Sequence, residues 1–146
     1  MIIVKVKKLH EDAVLPQYQT KGAAGFDFHA IEDIEIGPRQ TKLVKTGLSV
    51  EIPEGYELQV RPRSGMSLKT KIRVANSPGT IDSDYRGEIC IIMENVGLLG
   101  SLPYEIRKGD RVAQGVICPV YQATFIEDEL SETERGEKGF GSSGKQ

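Results

Sequence analysis

The fold class is decided by residues 40–61, which read QTKLVKTGLSVEIPEGYELQVR. Three short runs of strand-forming residues lie in this stretch, at 40–45, 48–52 and 56–61, and Pro-Glu-Gly makes the second turn between them. The same spacing predicts further strands at residues 2–7, 25–30, 34–36, 72–75, 79–81, 89–95, 104–106 and 111–121. Helical periodicity is nearly absent, apart from one short turn over residues 64–71 with Ser64 or Ser67 as its cap. Regular strands without intervening helices predict an all-β sandwich, barrel or jelly roll.

Size and composition indicate one compact domain. A chain of 146 residues is long enough to bury a stable hydrophobic core without disulfide bonds or structural metal ions. Its net charge of −2 argues against binding to a nucleic-acid backbone, which needs a basic surface. No signal peptide is visible, and no apolar stretch approaches the roughly 18 residues of a membrane span. Cys90 and Cys118 lie in apolar runs and are predicted to be buried reduced thiols, which places the protein in the cytoplasm with no nucleic-acid or membrane partner.

The C-terminal residues 135–146 read RGEKGFGSSGKQ. A glycine-rich tail has no reason to fold alone, because ordering glycine costs the most backbone entropy. Its freed backbone N–H groups and serine hydroxyls suit a phosphate, and an arginine can bind phosphate oxygens in bidentate fashion. We therefore predict a core at 1–134 and a flexible arm at 135–146 that closes over a nucleotide. The alternative is an ordinary disordered polar tail.

Five motifs occur in order: AAGFDF at 23–28, PRSGM at 62–66, GTIDSDYRGE at 79–88, GDRVAQ at 109–114, and the arm. Together they resemble the trimeric dUTPase family, the dUTP nucleotidohydrolases. The resemblance implies a jelly-roll-like β-barrel assembled as a homotrimer, whose active sites lie between subunits and are closed by the arm of a third. It also implies Mg²⁺-dependent hydrolysis of dUTP to dUMP and pyrophosphate, which removes dUTP from the nucleotide pool and supplies dUMP for dTTP synthesis.

Asp82 is the candidate catalytic base, because hydrolysis at phosphorus needs a positioned and partly deprotonated water. The alternative for this residue is an aspartate that caps a turn. By resemblance, Tyr85 stacks under the deoxyribose and leaves no volume for a 2′-hydroxyl. The alternative for Tyr85 is an aromatic side chain of the core.

The resemblance assigns the reading of uracil to a hairpin over residues 76–82. Backbone groups there match uracil O2, N3–H and O4, and they mismatch cytosine, in which donor and acceptor are inverted. The residues implied in this part of the site are Asn76, Gly79, Thr80, Ile81 and Cys90, the last through its backbone.

The phosphates are assigned by resemblance to two further motifs and the arm. Arg63, Ser64, Gly65 and Gln114 match the segments that contact the phosphate chain. Asp27 matches a residue that acts on Mg²⁺ through the waters of the metal. In the arm, Arg135 is expected on the γ-phosphate and Phe140 on the uracil, while Gly141, Ser142 and Ser143 wrap the β- and γ-phosphates.

Three other interpretations remain open at this point. A dCTP deaminase shares the β fold and the trimer, but that family lacks the Phe-Gly-Ser-Ser-Gly arm. A non-catalytic nucleotide sensor would bind dUTP without needing Asp82. A purely structural β trimer would leave the glycine-rich arm without a purpose.

Overall fold

The computed structural model of the protein describes residues 1–139. The elements of this part, in chain order, are β1 (Lys5–Lys8), β2 (Phe26–His29), β3 (Ile34–Ile36), β4 (Thr41–Lys45), β5 (Leu48–Glu51), β6 (Tyr56–Arg61), α1 (Ser64–Lys69), β7 (Ile72–Val74), β8 (Gly79–Ile81), β9 (Cys90–Asn95), β10 (Tyr104–Ile106) and β11 (Arg111–Pro119). Each strand predicted from the sequence is present. The largest difference in bounds is at β1, which begins at Lys5 rather than at residue 2.

The strands of residues 1–139 form four sheets, and every pairing in them is antiparallel. The larger sheet has the order β2-β11-β6-β8, and a three-stranded sheet has the order β4-β9-β7. Two-stranded sheets pair β1 with β5 and β3 with β10. This architecture confirms the all-β prediction with one short helix.

The core follows from the period-2 alternation of the strands. In β9, Ile91, Met93 and Asn95 are buried, and the residues between them are half-buried. In β2, Phe26 and Phe28 are buried and pack edge to face, with ring centroids 5.5 Å apart. The intervening polar side chains of β2 therefore lie on the opposite face of the larger sheet.

Helix α1 follows directly after β6. It covers Ser64–Lys69 rather than 64–71, and the residue at the N-cap position is Arg63, which makes no side-chain capping bond. The prediction that Ser64 or Ser67 caps the helix is therefore wrong, because both serines lie inside the helix. Thr70 ends it in an extended conformation, and its hydroxyl donates to the Met66 carbonyl over 2.7 Å.

Two other expectations differ from the structure. Cys90 and Cys118 are free thiols, but they are half-buried rather than buried, because both occupy strand positions that alternate away from the core. The last strand ends at Pro119 rather than at residue 121, and residues 120–138 are exposed. The division into a core at 1–134 and an arm at 135–146 stays a prediction. Within residues 1–139, no helix has the length and apolar character required to cross a bilayer.

Candidate active site

A groove of about 360 Å³ opens between β8 and β9, and we call it the β8–β9 groove. Its base is apolar and includes Val60 of β6 and Ile89. The predicted site residues that line it are Asn76, Gly79, Thr80, Ile81, Asp82, Tyr85 and Cys90. The structure thus brings together the residues expected to hold the base, the sugar and the attacking water.

The segment 76–82 connects two sheets and is not a hairpin. Val74 of β7 pairs with Met93, whereas Gly79 of β8 pairs with Val60. β7 pairs with β9 and β8 pairs with β6, so β7 and β8 do not pair with each other. The expectation of a hairpin is therefore wrong. A Cβ on Gly79 would lie 3.3 Å from the Asn76 amide nitrogen and from Val60 Cβ, so glycine lets Asn76 pack tightly there.

Asp82 is exposed and lies at the end of β8. Its carbonyl oxygen accepts a hydrogen bond from the Tyr85 N–H over 3.2 Å, which closes a turn. Within residues 1–139, the carboxylate itself accepts no hydrogen bond and pairs with no cation. The side chain therefore does not cap the turn, and both of its oxygens remain available to water.

Tyr85 lies at the edge of the groove with 45% of its surface exposed, so it is not a residue of the core. Its hydroxyl donates to the Glu88 carbonyl over 3.1 Å. The tyrosine ring covers Gly87, where any Cβ would overlap the hydroxyl. Residues 82–88 form a loop. Its C-terminal part is held by the Ser49 hydroxyl, which donates to the Arg86 carbonyl, and by the Glu88 carboxylate, which accepts from the Gly47 N–H.

Gly87 and Glu88 are site residues that the sequence analysis did not assign. Both stand in the quoted motif at 79–88, directly after Tyr85. A glycine two residues after a functional aromatic residue is a signal of close approach, and it could have identified Gly87. The role of Glu88 depends on its hydrogen bond with Gly47, which lies 41 residues away in the turn between β4 and β5. No feature of the sequence near Glu88 predicts this contact.

Cys90 presents its backbone to the groove. Ile92 O accepts from the Ala75 N–H on the β7 edge of β9, and backbone groups two residues apart in a strand point to the same edge. The pairing of β7 with β9 runs only to Met93, so the Cys90 backbone lies beyond it, beside the groove. Burial, and then the nearby Glu88 carboxylate, raise the pKa of the Cys90 thiol above its ordinary value, which keeps the thiol protonated at neutral pH.

A second group of site residues surrounds Asp27 of β2, whose side chain is only 15% exposed. Asp27 Oδ1 accepts from Arg63 Nε over 2.9 Å, and Asp27 Oδ2 lies 3.5 Å from Arg111 Nη1. We call these three residues the arginine cluster. Gln114 lies opposite Asp27 in the ladder of β11 with β2, and its Nε2 donates to the Pro62 carbonyl over 3.0 Å.

Ser64 and Gly65 follow at the exposed start of α1. Among residues 1–139, a Cβ on Gly65 would meet nothing within 4 Å.

The arginine cluster does not fit a divalent cation. Each Asp27 oxygen already faces a guanidinium group, and the two arginines make the surroundings positive. Among residues 1–139, no group of three or more His, Cys, Asp or Glu side chains could hold a metal ion. Burial lowers the pKa of His29, two residues from Asp27, and its Nδ1 is buried without a hydrogen-bond partner in this part of the chain, so the imidazole stays neutral.

The two groups of residues lie apart in a single chain. Asp82 follows Ile81, which pairs with Leu58, whereas Arg63 follows the opposite end of β6. The side chain of Arg63 reaches β2, and β8 lies on the other side of β6. Asp82 is level with Glu57 and Asp27 is level with Arg61, so they are about 13 Å apart along the strands and three strand spacings, or about 14 Å, apart across the sheet.

The arm falls mainly outside the described residues. Arg135 is exposed, and its Nε donates to the Lys138 carbonyl over 2.9 Å, within a local turn. Phe140, Gly141, Ser142 and Ser143 lie outside residues 1–139, so the roles expected of them stay predictions.

A family model of dUTPase matches residues 11–144. The chain belongs to the dUTPase family. Relatives named deoxyuridine 5′-triphosphate nucleotidohydrolase include one from Nautilia profundicola, 57% identical over 97% of this chain and 99% of its own length. Another, from Helicobacter pylori strain P12, is 49% identical over 97% of this chain and 96% of its own length.

Solved dUTPase structures share the fold. A mutant dUTPase of Staphylococcus bacteriophage 80alpha with dUpNHpp has a TM-score of 0.87 and 32% identity, covering 97% of this chain and 98% of that one. A mutant dUTPase of phage phi11 of S. aureus, described with a structural Mg(II) ion, has a TM-score of 0.81 and 28% identity, covering 90% of this chain and 99% of that one.

Proposed function

We propose that this chain hydrolyses dUTP to dUMP and pyrophosphate, with Asp82 as the general base. The observation that carries the proposal is the Asp82 carboxylate at the mouth of the β8–β9 groove, which has no hydrogen-bond or ion-pair partner within residues 1–139. Asp82 takes a proton from a water, and the water oxygen attacks the α-phosphorus in line with the bond to the bridging oxygen. That bond breaks, and pyrophosphate leaves with the bridging oxygen.

The β8–β9 groove selects base and sugar. Uracil lies against the backbone of Gly79, Thr80, Ile81 and Cys90, with Asn76 beside it, and this set of donors and acceptors mismatches cytosine. Tyr85 lies under the deoxyribose, where its ring takes the volume that a 2′-hydroxyl would need. The anchored loop at 82–88 supports this role, because a ring that excludes one oxygen atom must be held in place.

We propose that the phosphate-binding residues come from a second copy in a homotrimer. Arg63, Ser64, Gly65 and Gln114 lie away from Asp82 in one chain, so one chain alone does not assemble the site. A cyclic assembly brings the arginine cluster of one subunit to the β8–β9 groove of the next. The arm, with Arg135, Phe140, Gly141, Ser142 and Ser143, closes over the nucleotide.

Magnesium enters this proposal as part of the substrate, the Mg²⁺ complex of dUTP. A metal on a triphosphate keeps much of its hydration shell and needs few protein ligands. This suits a chain whose described residues offer no cluster of metal ligands. The two free thiols of residues 1–139 support a reducing compartment, and we propose the cytoplasm as the site of action.

The experiment that tests the activity is pyrophosphate release from dUTP, dCTP, dTTP and UTP with Mg²⁺. We expect release from dUTP alone, and a decrease of about 100- to 10,000-fold in kcat for Asp82→Asn. Asp84→Asn is the matched control, because it makes the same change in a nearby exposed side chain and is expected to keep activity. Tight binding of dUTP without release would indicate a nucleotide sensor, and a uridine product from dCTP would indicate a deaminase.

Subunit mixing tests the shared site. Asp82→Asn and Arg63→Ala are each expected to be nearly inactive. Refolded together in equal amounts, they should recover activity in about a quarter of the sites, because each intact site takes Asp82 and Arg63 from two different copies. No recovery in mixed trimers would show that both residues act within one chain.

A further inference from the structure

We infer that Asp27 is a positioning residue for Arg63: it holds the guanidinium by its Nε edge and leaves the terminal nitrogens to the phosphates of the substrate. The inference rests on the proposed function, because it takes dUTP as the ligand of Arg63. It gives Asp27 a different role from the one implied by family resemblance, which was to act on Mg²⁺ through water.

The contacts of Arg63 are asymmetric. Nε donates to Asp27 Oδ1 over 2.9 Å, whereas Nη1 has only a long contact of 3.5 Å to the Arg111 carbonyl. Within residues 1–139, Nη2 has no hydrogen-bond partner. The terminal edge of a guanidinium carries two parallel N–H donors that match phosphate oxygens, and within residues 1–139 the long contact of Nη1 is the only hydrogen bond made by this edge.

Charge favours the same role. A carboxylate as enclosed as that of Asp27 needs a partner, and it has two, one guanidinium on each oxygen. One negative charge between two positive ones leaves a net charge of +1 on the arginine cluster. The ion pairs thus order the two arginines, and the arginine cluster keeps a positive charge. This charge attracts an anionic ligand and repels a divalent cation.

The backbone next to Arg63 is fixed as well. Gln114 donates to the carbonyl of Pro62, the preceding residue, and Gln114 lies abreast of Asp27 in the ladder. A Cβ on Gly25 would lie 2.8 Å from Gln114 Oε1 and 3.2 Å from the Gly115 carbonyl, so glycine at this position leaves room for the Gln114 side chain. Asp27 of β2 therefore holds the side chain of Arg63, and Gln114 of β11 holds the main chain next to it.

A double-mutant cycle tests this role. Asp27→Asn keeps the size of the side chain and removes its charge, and it is expected to lower kcat/KM for dUTP about 10- to 100-fold because Arg63 is misplaced. If Asp27 acts only through Arg63, the double variant Asp27→Asn/Arg63→Ala matches Arg63→Ala alone within about twofold. The Mg²⁺ concentration for half-maximal activity stays that of the native protein. Asp12→Asn is the matched control, since Asp12 pairs with Lys108 Nζ at 2.6 Å outside the site.

Two results would overturn the inference. The losses of the single variants could multiply in the double variant, which would give Asp27 an effect independent of Arg63. Alternatively, excess Mg²⁺ could restore Asp27→Asn, which would mean that Asp27 acts through the metal. If Asp27→Asn fails to fold, Arg63→Lys decides: it keeps the charge but has no Nε edge, so native-like activity would contradict the inference and a loss of 10-fold or more would support it.

Failure of the proposed function gives a separate result. In that case the native protein does not release pyrophosphate from dUTP at all. The same cycle is then measured on the Kd of the non-hydrolysable analogue α,β-imido-dUTP. Equal weakening by Arg63→Ala and by the double variant would still support Asp27 as the positioning residue, and multiplied weakening would reject it.

Discussion

Gly87→Ala is expected to damage the active site by displacing one ring. A Cβ at this position would lie 2.9 Å from Tyr85 Cε2 and 2.5 Å from Tyr85 Cζ, and would overlap the hydroxyl. Carbon atoms pack at about 3.5–4.0 Å, so the ring must move by about 1 Å or more. Several glycines of residues 1–139 have a positive φ, but Gly87 does not. An alanine at position 87 therefore clashes with the Tyr85 ring and causes no backbone strain.

The expected cost is kinetic. A displacement of about 1 Å in a substrate-positioning group lowers rates about 100-fold, and we expect that loss in kcat/KM for dUTP. UTP should lose less, because the displaced ring no longer excludes the 2′-hydroxyl, so the preference for dUTP over UTP falls about tenfold or more. Stability should change little, since Tyr85 is 45% exposed and loses one hydrogen bond to Glu88 O, worth about 0.5–1.5 kcal/mol.

The assay is steady-state pyrophosphate release with dUTP and UTP, together with thermal unfolding. Gly22→Ala is the matched control, because a Cβ there meets nothing within 4 Å and its φ is not positive. Adding Tyr85→Phe to Gly87→Ala removes the overlapping hydroxyl and should recover part of the dUTP activity. Native turnover and native sugar selection in Gly87→Ala would refute the placement of Tyr85 under the deoxyribose.

Three further changes have defined outcomes. Truncation after Glu134 should leave a folded protein with hydrolysis largely lost, and unchanged turnover would exclude a role for the arm. Phe140→Ala should lower activity without lowering the melting temperature of the ligand-free protein, and a large loss of thermal stability would place Phe140 in the core instead. Asn95→Ala should lower the free energy of unfolding by about 3 kcal/mol, because the Ile36 carbonyl and the Gly97 N–H both lose a buried partner at 2.9 Å. Denaturant unfolding at fixed protein concentration measures this change, and a loss below about 0.5 kcal/mol would contradict the assignment.

The fold was largely predictable because local signals coincide with the element boundaries. β6, β8 and β10 have the predicted bounds, and each begins directly after a glycine or a proline. The prediction of the helix cap was wrong, because a serine suits both the N-cap position and the first turn of a helix. Ser64 is a good capping residue, but the preceding Arg63 takes the N-cap position, and its side chain bonds to Asp27 instead. A tertiary ion pair thus overrides a local preference for capping.

The motifs supplied the candidate residues of the site, but not the residues that these side chains contact. Tyr85, Gly87 and Glu88 are close in sequence, so a motif can include both the functional ring and the residues that hold it. Asp27 and Arg63 are 36 residues apart, and their pairing requires the order β2-β11-β6 and its register. Neither the strand order nor the register can be read from the alternation within one strand. That alternation specifies the face on which a side chain lies, but not which residue lies beside it on the next strand.

The register has a consequence for assembly. It places the arginine cluster and Asp82 at opposite corners of one hydrogen-bonded sheet. Closing this separation within one chain would break the ladder of β6 with β8 or with β11, and each broken backbone pair exposes groups that the sheet satisfies. A second copy reaches the same geometry through surfaces alone, and its strands stay intact. In the homotrimer that we propose, the rigidity that orders Arg63 is therefore also the reason that the complete site forms between chains.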